Sequence, residues 1–454
     1  MSRFPFAVRL LPSLLTLTLT LAAGSAFAWS NHSLPTYRAL EQMPEVAQAA
    51  TVTAEPLEAF LKAEEKPLVA LLASQETWAA ANIDKYPVRP PALAFVADPA
   101  RSDADRRLAF LRALRVAPNS RFALYLQPDP MLATIGDAMP FSAVNTLPQQ
   151  PNSDTRFIVL KSGIQVAPLA VVSSAADEPD YGLDINLWSD SPSEWGKAYG
   201  FGTLPFGNPT LYFSTQAPFH MGFFHENRIL YLAAPFIKRT FPLWRSHQYA
   251  TLAAFAFRTG HPYWGWRFTG LAMHYLQDLT QPYHASLAPG NSTPKLLWVN
   301  LLAMGGIGGP KKDVIVLLSN RHLALERYQH ELMHNDARDK HEGVLEKSLH
   351  DTSKDGRYPA WSDTYLRDVV SAQSADYAPQ LTEIITATLP ARFVSDPAFD
   401  FGANESGIDL VQVLAELPAA NRARLDNAIA ELLGNMGAHS RNFVRGVLKA
   451  SAVR

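Results

Sequence analysis

The stretch HYLQDLTQPYH, His274 to His284, sets two histidines and an aspartate among apolar neighbours. It reads as the end of a helix. Gly260 closes the segment before it, Pro262 suits a first helical position, and the helix runs on to about Leu279. Gly270, His274 and Asp278 stand at i, i+4 and i+8, so they share one helix face, and the missing side chain at Gly270 leaves space beside His274. Pro282 disfavours further helix and turns the chain, which can bring His284 back to the same end. One helix face and its exit turn thus offer nitrogen, oxygen and nitrogen donors, types that zinc accepts. An ordinary core histidine beside a polar helix end fits the same letters, and the stretch alone leaves both readings open.

Working outward, further helical segments are expected over His247 to Thr259, Asp313 to about Asn335 and Thr364 to Thr388. A last one puts Leu425, Ile429, Leu432, Met436, Phe443 and Val447 on one core-facing stripe. Residues 29–130 mix helical patches (PLEAFLKAEEKPLVALLAS, DADRRLAFLRALRVA) with proline-containing connectors. Residues 131–220, rich in Pro, Gly and aromatics, read as irregular loops with short strands. The expected fold is mostly α, a multi-helix bundle with a loop-rich N-terminal half, and residues 29–454 are read as a single domain. Residues 1–28 have the form of a cleaved signal peptide: Arg3 and Arg9, an apolar run from Leu10 to Ala23, then Ala26-Phe27-Ala28. Cleavage there makes Trp29 the first residue of an exported, secreted protein.

With 454 residues, 47% of them hydrophobic, the chain has ample material for a core. It contains no cysteine, so stability must come from burial or bound metal rather than disulfides. Without Arg3 and Arg9 the 40 basic residues become 38 against 42 acidic ones, a formal charge of −4. A slightly acidic chain lacks the electrostatic footprint of a nucleic-acid binder.

Four other features bear on chemistry. In NRHLALERYQHELMH, His322 and Glu326 stand at i, i+4, and pairs of this kind on facing helices are how bundles build metal sites. The same stretch holds His330-Glu331-Leu332-Met333-His334, which matches the H-E-x-x-H zinc protease motif. The third ligand expected six residues on is missing, since Lys340 stands there, and an exposed polar helix end is the plainer reading. Gly305-Gly306-Ile307-Gly308-Gly309 lacks phosphate-loop spacing and reads as a connection between helices. Asn31-His32-Ser33 fits a glycosylation acceptor, but its place at the mature N-terminus suggests another use.

Taken together, these residues resemble the secreted bacterial zinc-dependent phospholipases C, whose fold and metal centre the fungal zinc-dependent single-strand nucleases share. The pattern H-Y-x-x-D-x-x-x-P-x-H-[SA] fits His274, Tyr275, Asp278, Pro282, His284 and Ala285, and the later H-x-x-x-E fits His322 and Glu326. Glu178-Pro179-Asp180-Tyr181 is similar to the family's acidic ligand segment, with Asp184 as the alternative to Asp180; PFHMGFFHEN offers His220, or else His225. The family's mature chain begins with Trp, whose freed amine and carbonyl bind zinc, and Trp29 occupies that place. A terminal amine titrates near about 8, so zinc can displace its proton.

The resemblance implies three zinc ions: one on Asp180, His220, His274 and Asp278, a second on His284, His322 and Glu326, a third on Trp29, His32 and a bridging oxygen of Asp278. His32 follows Trp29 by only three residues and the segment from His284 to His322 is long, both departures from the better-known members. The implied activity is phospholipase C hydrolysis of a phospholipid such as phosphatidylcholine at a membrane surface, by a chain expected to be monomeric. Asp180 is the implied general base. The single-strand nuclease activity of the superfamily, and a non-catalytic exported zinc-binding protein, are the alternatives. The apolar run Lys295 to Met304 is expected either to insert into lipid near the active-site mouth, with Trp298 at the interface, or to form a buried core helix.

Overall fold

Helix makes up most of the regular structure in the computed structural model, which describes residues 29, 31–131, 136–148, 155–209, 212–404 and 407–452. The expected signal peptide, residues 1–28, lies outside the described residues. Strand is confined, among the described residues, to two antiparallel ribbons, Val52–Thr53 with Gln165–Val166 and Tyr125–Leu126 with Ile158–Val159. The fold is therefore mostly α, as the sequence implies. The helices that bear on function are α1 (Ser33–Leu40), α2 (Pro168–Ala176), α3 (Arg228–Ala233), α4 (Pro242–Arg258), α5 (Pro262–Asp278), α6 (Thr293–Met304), α7 (Gly309–Arg338), α8 (Val344–His350), α9 (Ala372–Thr388) and α10 (Ala419–Ala452).

α4 and α5 form an antiparallel hairpin that turns at Gly260, whose φ of +86° only glycine adopts freely. From Tyr263 to Asp278 every residue of α5 is buried, because α2, α4 and α10 enclose it. Such a helix has no solvent face, so its polar groups must find partners inside. Arg267 does so by a two-pronged ion pair with Glu178, 2.6 and 3.0 Å, which pins the Glu178–Tyr181 turn onto α5.

The interior falls into two main apolar clusters. One surrounds α4 and α5 and takes in the front half of the chain; the other surrounds α7, α9 and the first half of α10. α10 joins them, giving Leu425, Ile429, Leu432 and Met436 to one and Phe443 and Val447 to the other.

Several boundaries differ from expectation for physical reasons. α4 starts at Pro242 rather than His247, with proline at the first turn where its missing N–H costs nothing. α7 runs from Gly309 to Arg338, longer at both ends than Asp313 to Asn335. The Thr364 to Thr388 segment opens with a π-type turn, Leu366–Ser371, before α9 begins. Residues 131–220 are not all loop: α2 lies within them, buried on all sides. His330, expected at an exposed helix end, is buried because the short helix Leu410–Ala415 packs across α7. No helix among the described residues is long and apolar enough to cross a membrane.

Candidate metal centre

α5 presents His274 and Asp278 one turn apart on the face that α2 covers. Gly270 makes that approach possible in a way its empty side chain only hinted at. A Cβ there would lie 2.4 Å from the Val172 carbonyl and 2.6 Å from the Ala175 Cβ, so the space is filled by α2 itself. The end of α2 thereby reaches α5, and the Ala176 carbonyl lies 2.7 Å from His274 Nδ1.

That hydrogen bond settles the tautomer. A carbonyl only accepts, so Nδ1 carries the proton and Nε2 of neutral His274 is a lone pair. It points at Asp180 Oδ1 (3.7 Å) and Asp278 Oδ2 (3.5 Å), with His220 Nδ1 at 3.0 Å. The same logic holds twice more. His284 Nδ1 donates to the His220 carbonyl at 2.8 Å, leaving its Nε2 lone pair 3.0 Å from His322 Nε2 and 3.8 Å from Glu326 Oε1. His32 Nδ1 donates to Gln277 Oε1 at 2.9 Å, leaving Nε2 3.4 Å from Asp278 Oδ1, which has no hydrogen-bond partner.

Three buried groups could therefore hold metal ions: His32, His274 and Asp278; Asp180, His220 and His274; His284, His322 and Glu326. Lone pair against carboxylate is repulsive unless a cation lies between them. Burial keeps the histidines neutral, pushing His274 and His284 well below the ordinary histidine value and taking His220 down to about 3. Burial, reinforced by neighbouring acids, drives Asp180 and Asp278 well above the usual carboxylate range. Buried nitrogen and oxygen donors, oriented by carbonyls behind them, fit a metal of the zinc type.

Every sequence-inferred ligand in the described residues reaches this region. Trp29 is fully buried, and its indole N–H lies 3.2 Å from both the Gln277 carbonyl and Thr280 Oγ1, at the end of α5. Of the open pairs, Asp180 and His220 belong to the cluster. Asp184 is held by Arg245 (2.6 and 2.9 Å) and by the Tyr275 hydroxyl (2.6 Å), and faces His220 Nε2 at 3.6 Å from behind. His225 is exposed and pairs with the Arg367 carbonyl. Glu331 of the H-E-x-x-H stretch accepts from Arg327 and from the backbone N–H groups of Leu410 and Val411, so it caps a helix.

Sequence reasoning missed the residues that aim the ligands. Asp177 Oδ1 accepts the backbone N–H groups of both His32 and Ser33, while its Oδ2 takes Gln127 and the Tyr181 hydroxyl. Gln281 Nε2 donates to Glu326 Oε1 at 2.8 Å. Gln277, inside the opening stretch, orients His32 while donating to Thr36 and Ser440. No family model, curated protein or solved structure matches the chain.

Proposed function

We propose that the chain is a secreted zinc-dependent phospholipase C, hydrolysing the glycerol-side phosphodiester of phospholipids such as phosphatidylcholine to diacylglycerol and a phosphorylated head group. The observation that carries the reading is the joined donor array: His274 belongs to two of the three ligand groups and Asp278 of the first lies 2.9 Å from His220 of the second, while the third is tied to them by the hydrogen bond from His284 Nδ1 to the His220 carbonyl. The residue pattern shared with the phospholipases C supplies the rest. In this reading Asp180, His220, His274 and Asp278 hold one zinc ion and His284, His322 and Glu326 a second. Trp29, His32 and Oδ1 of Asp278 hold a third once residues 1–28 are removed.

When bound, the ions supply positive charge against the phosphate oxygens and acidify the attacking water. The chain's own part is to place acceptors and exclude bulk solvent. Asp180 keeps Oδ1 towards His220 and His274, steadied by Gln216 Nε2 at 3.5 Å, and its other oxygen is free to take the proton of the attacking water. The water oxygen bonds to phosphorus, the bond from phosphorus to the glycerol oxygen breaks, and the proton ends on that oxygen.

The test is phosphocholine release from phosphatidylcholine by the mature chain, with and without chelator, beside single-stranded DNA. Chelator-sensitive release with the DNA left intact is expected. Cleavage of the DNA alone would move the chain to the nucleases, and no product from either would overturn an enzymatic reading.

A further inference from the structure

The run Lys295 to Met304 is a helix, α6, but not a core helix: Val299 is its one buried residue, while Trp298, Leu301 and Met304 are each 59% exposed. α6 packs against α3, which exposes Ile229 and, at 74%, Leu232. With Ile307 just beyond α6, these are six of the ten large hydrophobic side chains that the described residues leave exposed. Scattered apolar side chains are ordinary on a surface, but a cluster on two touching helices is not.

Between α3, α6 and α7 lies a cavity of about 310 Å³, lined by Leu230, Ala233, Leu296, Val299 and Leu318 among other apolar groups. Leu318 precedes His322 by four residues on α7, so the cavity ends about 6 Å along the helix axis from the His284, His322 and Glu326 group. Leu287 and Ala288, also in its wall, follow His284 by three and four residues. An occupant would thus be apolar along its length with a polar end at the metal centre. Basic groups outnumber acidic ones around these helices: Arg228, Lys295, Lys311 and Lys312 stand against Glu226 and Asp313.

We propose that this cavity binds one acyl chain of a glycerophospholipid, and that the exposed faces of α3 and α6 lie on an anionic bilayer from which the lipid is drawn. The proposal rests on the phospholipase reading for what happens at the head group, but not for the binding itself. The cavity orients the lipid tail-first away from the metal centre, and the lysines and Arg228 meet anionic head groups around the patch.

The test uses the metal-loaded mature chain, vesicles of pure phosphatidylcholine, and vesicles of equal parts phosphatidylcholine and phosphatidylglycerol. Cosedimentation is read without reference to turnover. The parent is expected to bind the mixed vesicles more tightly, and a Trp298→Ser, Leu301→Ser, Met304→Ser variant to bind about tenfold or more weakly. Its circular dichroism should match the parent's, because the substituted side chains are exposed, and hydrolysis by the parent is read on the vesicles and on soluble short-chain phosphatidylcholine. Ala233→Phe, which narrows the cavity, should weaken calorimetric binding of dodecylphosphocholine about tenfold and leave vesicle docking in place. Equal sedimentation of parent and triple variant, or unchanged dodecylphosphocholine binding by Ala233→Phe, would overturn the proposal. A parent that sediments but hydrolyses neither substrate keeps the lipid site and sinks the phospholipase reading instead.

Discussion

Asp278 has two oxygens that face different partners: Oδ1 points at His32 Nε2, while Oδ2 lies 2.9 Å from His220 Nδ1 and 3.5 Å from His274 Nε2. A side chain that serves two groups through two atoms cannot be replaced by its amide, because the NH₂ end would donate where a charge is needed. Asp278→Asn is therefore expected to lose bound metal and to lower the Tm, read by elemental analysis and thermal melting of the same sample. An Asn variant holding the parent's full metal complement would remove Asp278 from the centre. His439 offers a test away from the ligands. Burial, helped by Lys354, takes it down to about 3; it is held neutral by the Tyr365 hydroxyl at 2.8 Å and Gln373 Oε1 at 2.9 Å. Below 6.5 the unfolded chain protonates this histidine and the folded chain does not, so stability falls as pH drops from 6.5 towards about 3. The full effect is of the order of 5 kcal/mol. His439→Gln should show a shallower fall in Tm between about pH 7 and about pH 5 than the parent; an identical slope would show that His439 does not carry it.

At the scale of elements, the meeting of α2 with α5 decides whether His274 is aimed. Gly270→Ala forces a Cβ against the Val172 carbonyl and Ala175, and overpacking of this kind costs about 1–3 kcal/mol. The variant should melt lower and bind less metal, since the shift moves the Ala176 carbonyl away from His274 Nδ1; normal metal binding with only a lowered Tm would uncouple the two effects. The role of Gly270 was half legible: its place beside His274 follows from helical spacing, whereas its neighbour α2 does not. PLAVVSSAA is apolar or small on every side, so it shows no contrast between faces, and a helix buried all round leaves no periodic trace. α10 was legible for the opposite reason, with six spaced apolar residues facing inward and exposed polar ones such as Arg424, Asn427, Glu431 and Arg445 on the other side. The ligands His274, Asp278, His322 and Glu326 could be read because each pair sits one turn apart on its helix. Asp177 could not, because it meets His32 across 145 residues of chain, a contact no local spacing encodes. Only the resemblance put Asp180 ahead of Asp184 in sequence; what separates them physically is Arg245, a residue on α4 that neutralises Asp184 and leaves Asp180 to the histidines.

Across the whole molecule, the candidate centre lies where the two apolar clusters meet: His274 and Asp278 come from α5 in one, His322 and Glu326 from α7 in the other. Ions held there bind only the folded chain, so stripping them with chelator should lower the Tm markedly and returning zinc should restore it, as linkage requires. An unchanged Tm would mean that the centre contributes nothing to holding the two halves together. Trp29 and the residues from His32 onward are threaded into the same seam. The Trp29 indole is tied to the end of α5, and the His32 and Ser33 N–H groups are tied to Asp177, so Trp29 and His32 are fixed beside Asp278 before any ion arrives. This geometry makes the chemical state of Trp29 nitrogen matter. As a free amine it offers a lone pair to a cation, whereas as the amide of a longer chain its lone pair is delocalised and it cannot ligate in the same way. A chain beginning at Trp29 should therefore bind more metal, measured by native mass spectrometry, than one that keeps Ala28 in front. The two should fold alike by circular dichroism, since Trp29 and residues after it build both apolar clusters. If they bind metal equally, Trp29 is an anchor for the chain end and the ion beside His32 is held by side chains alone.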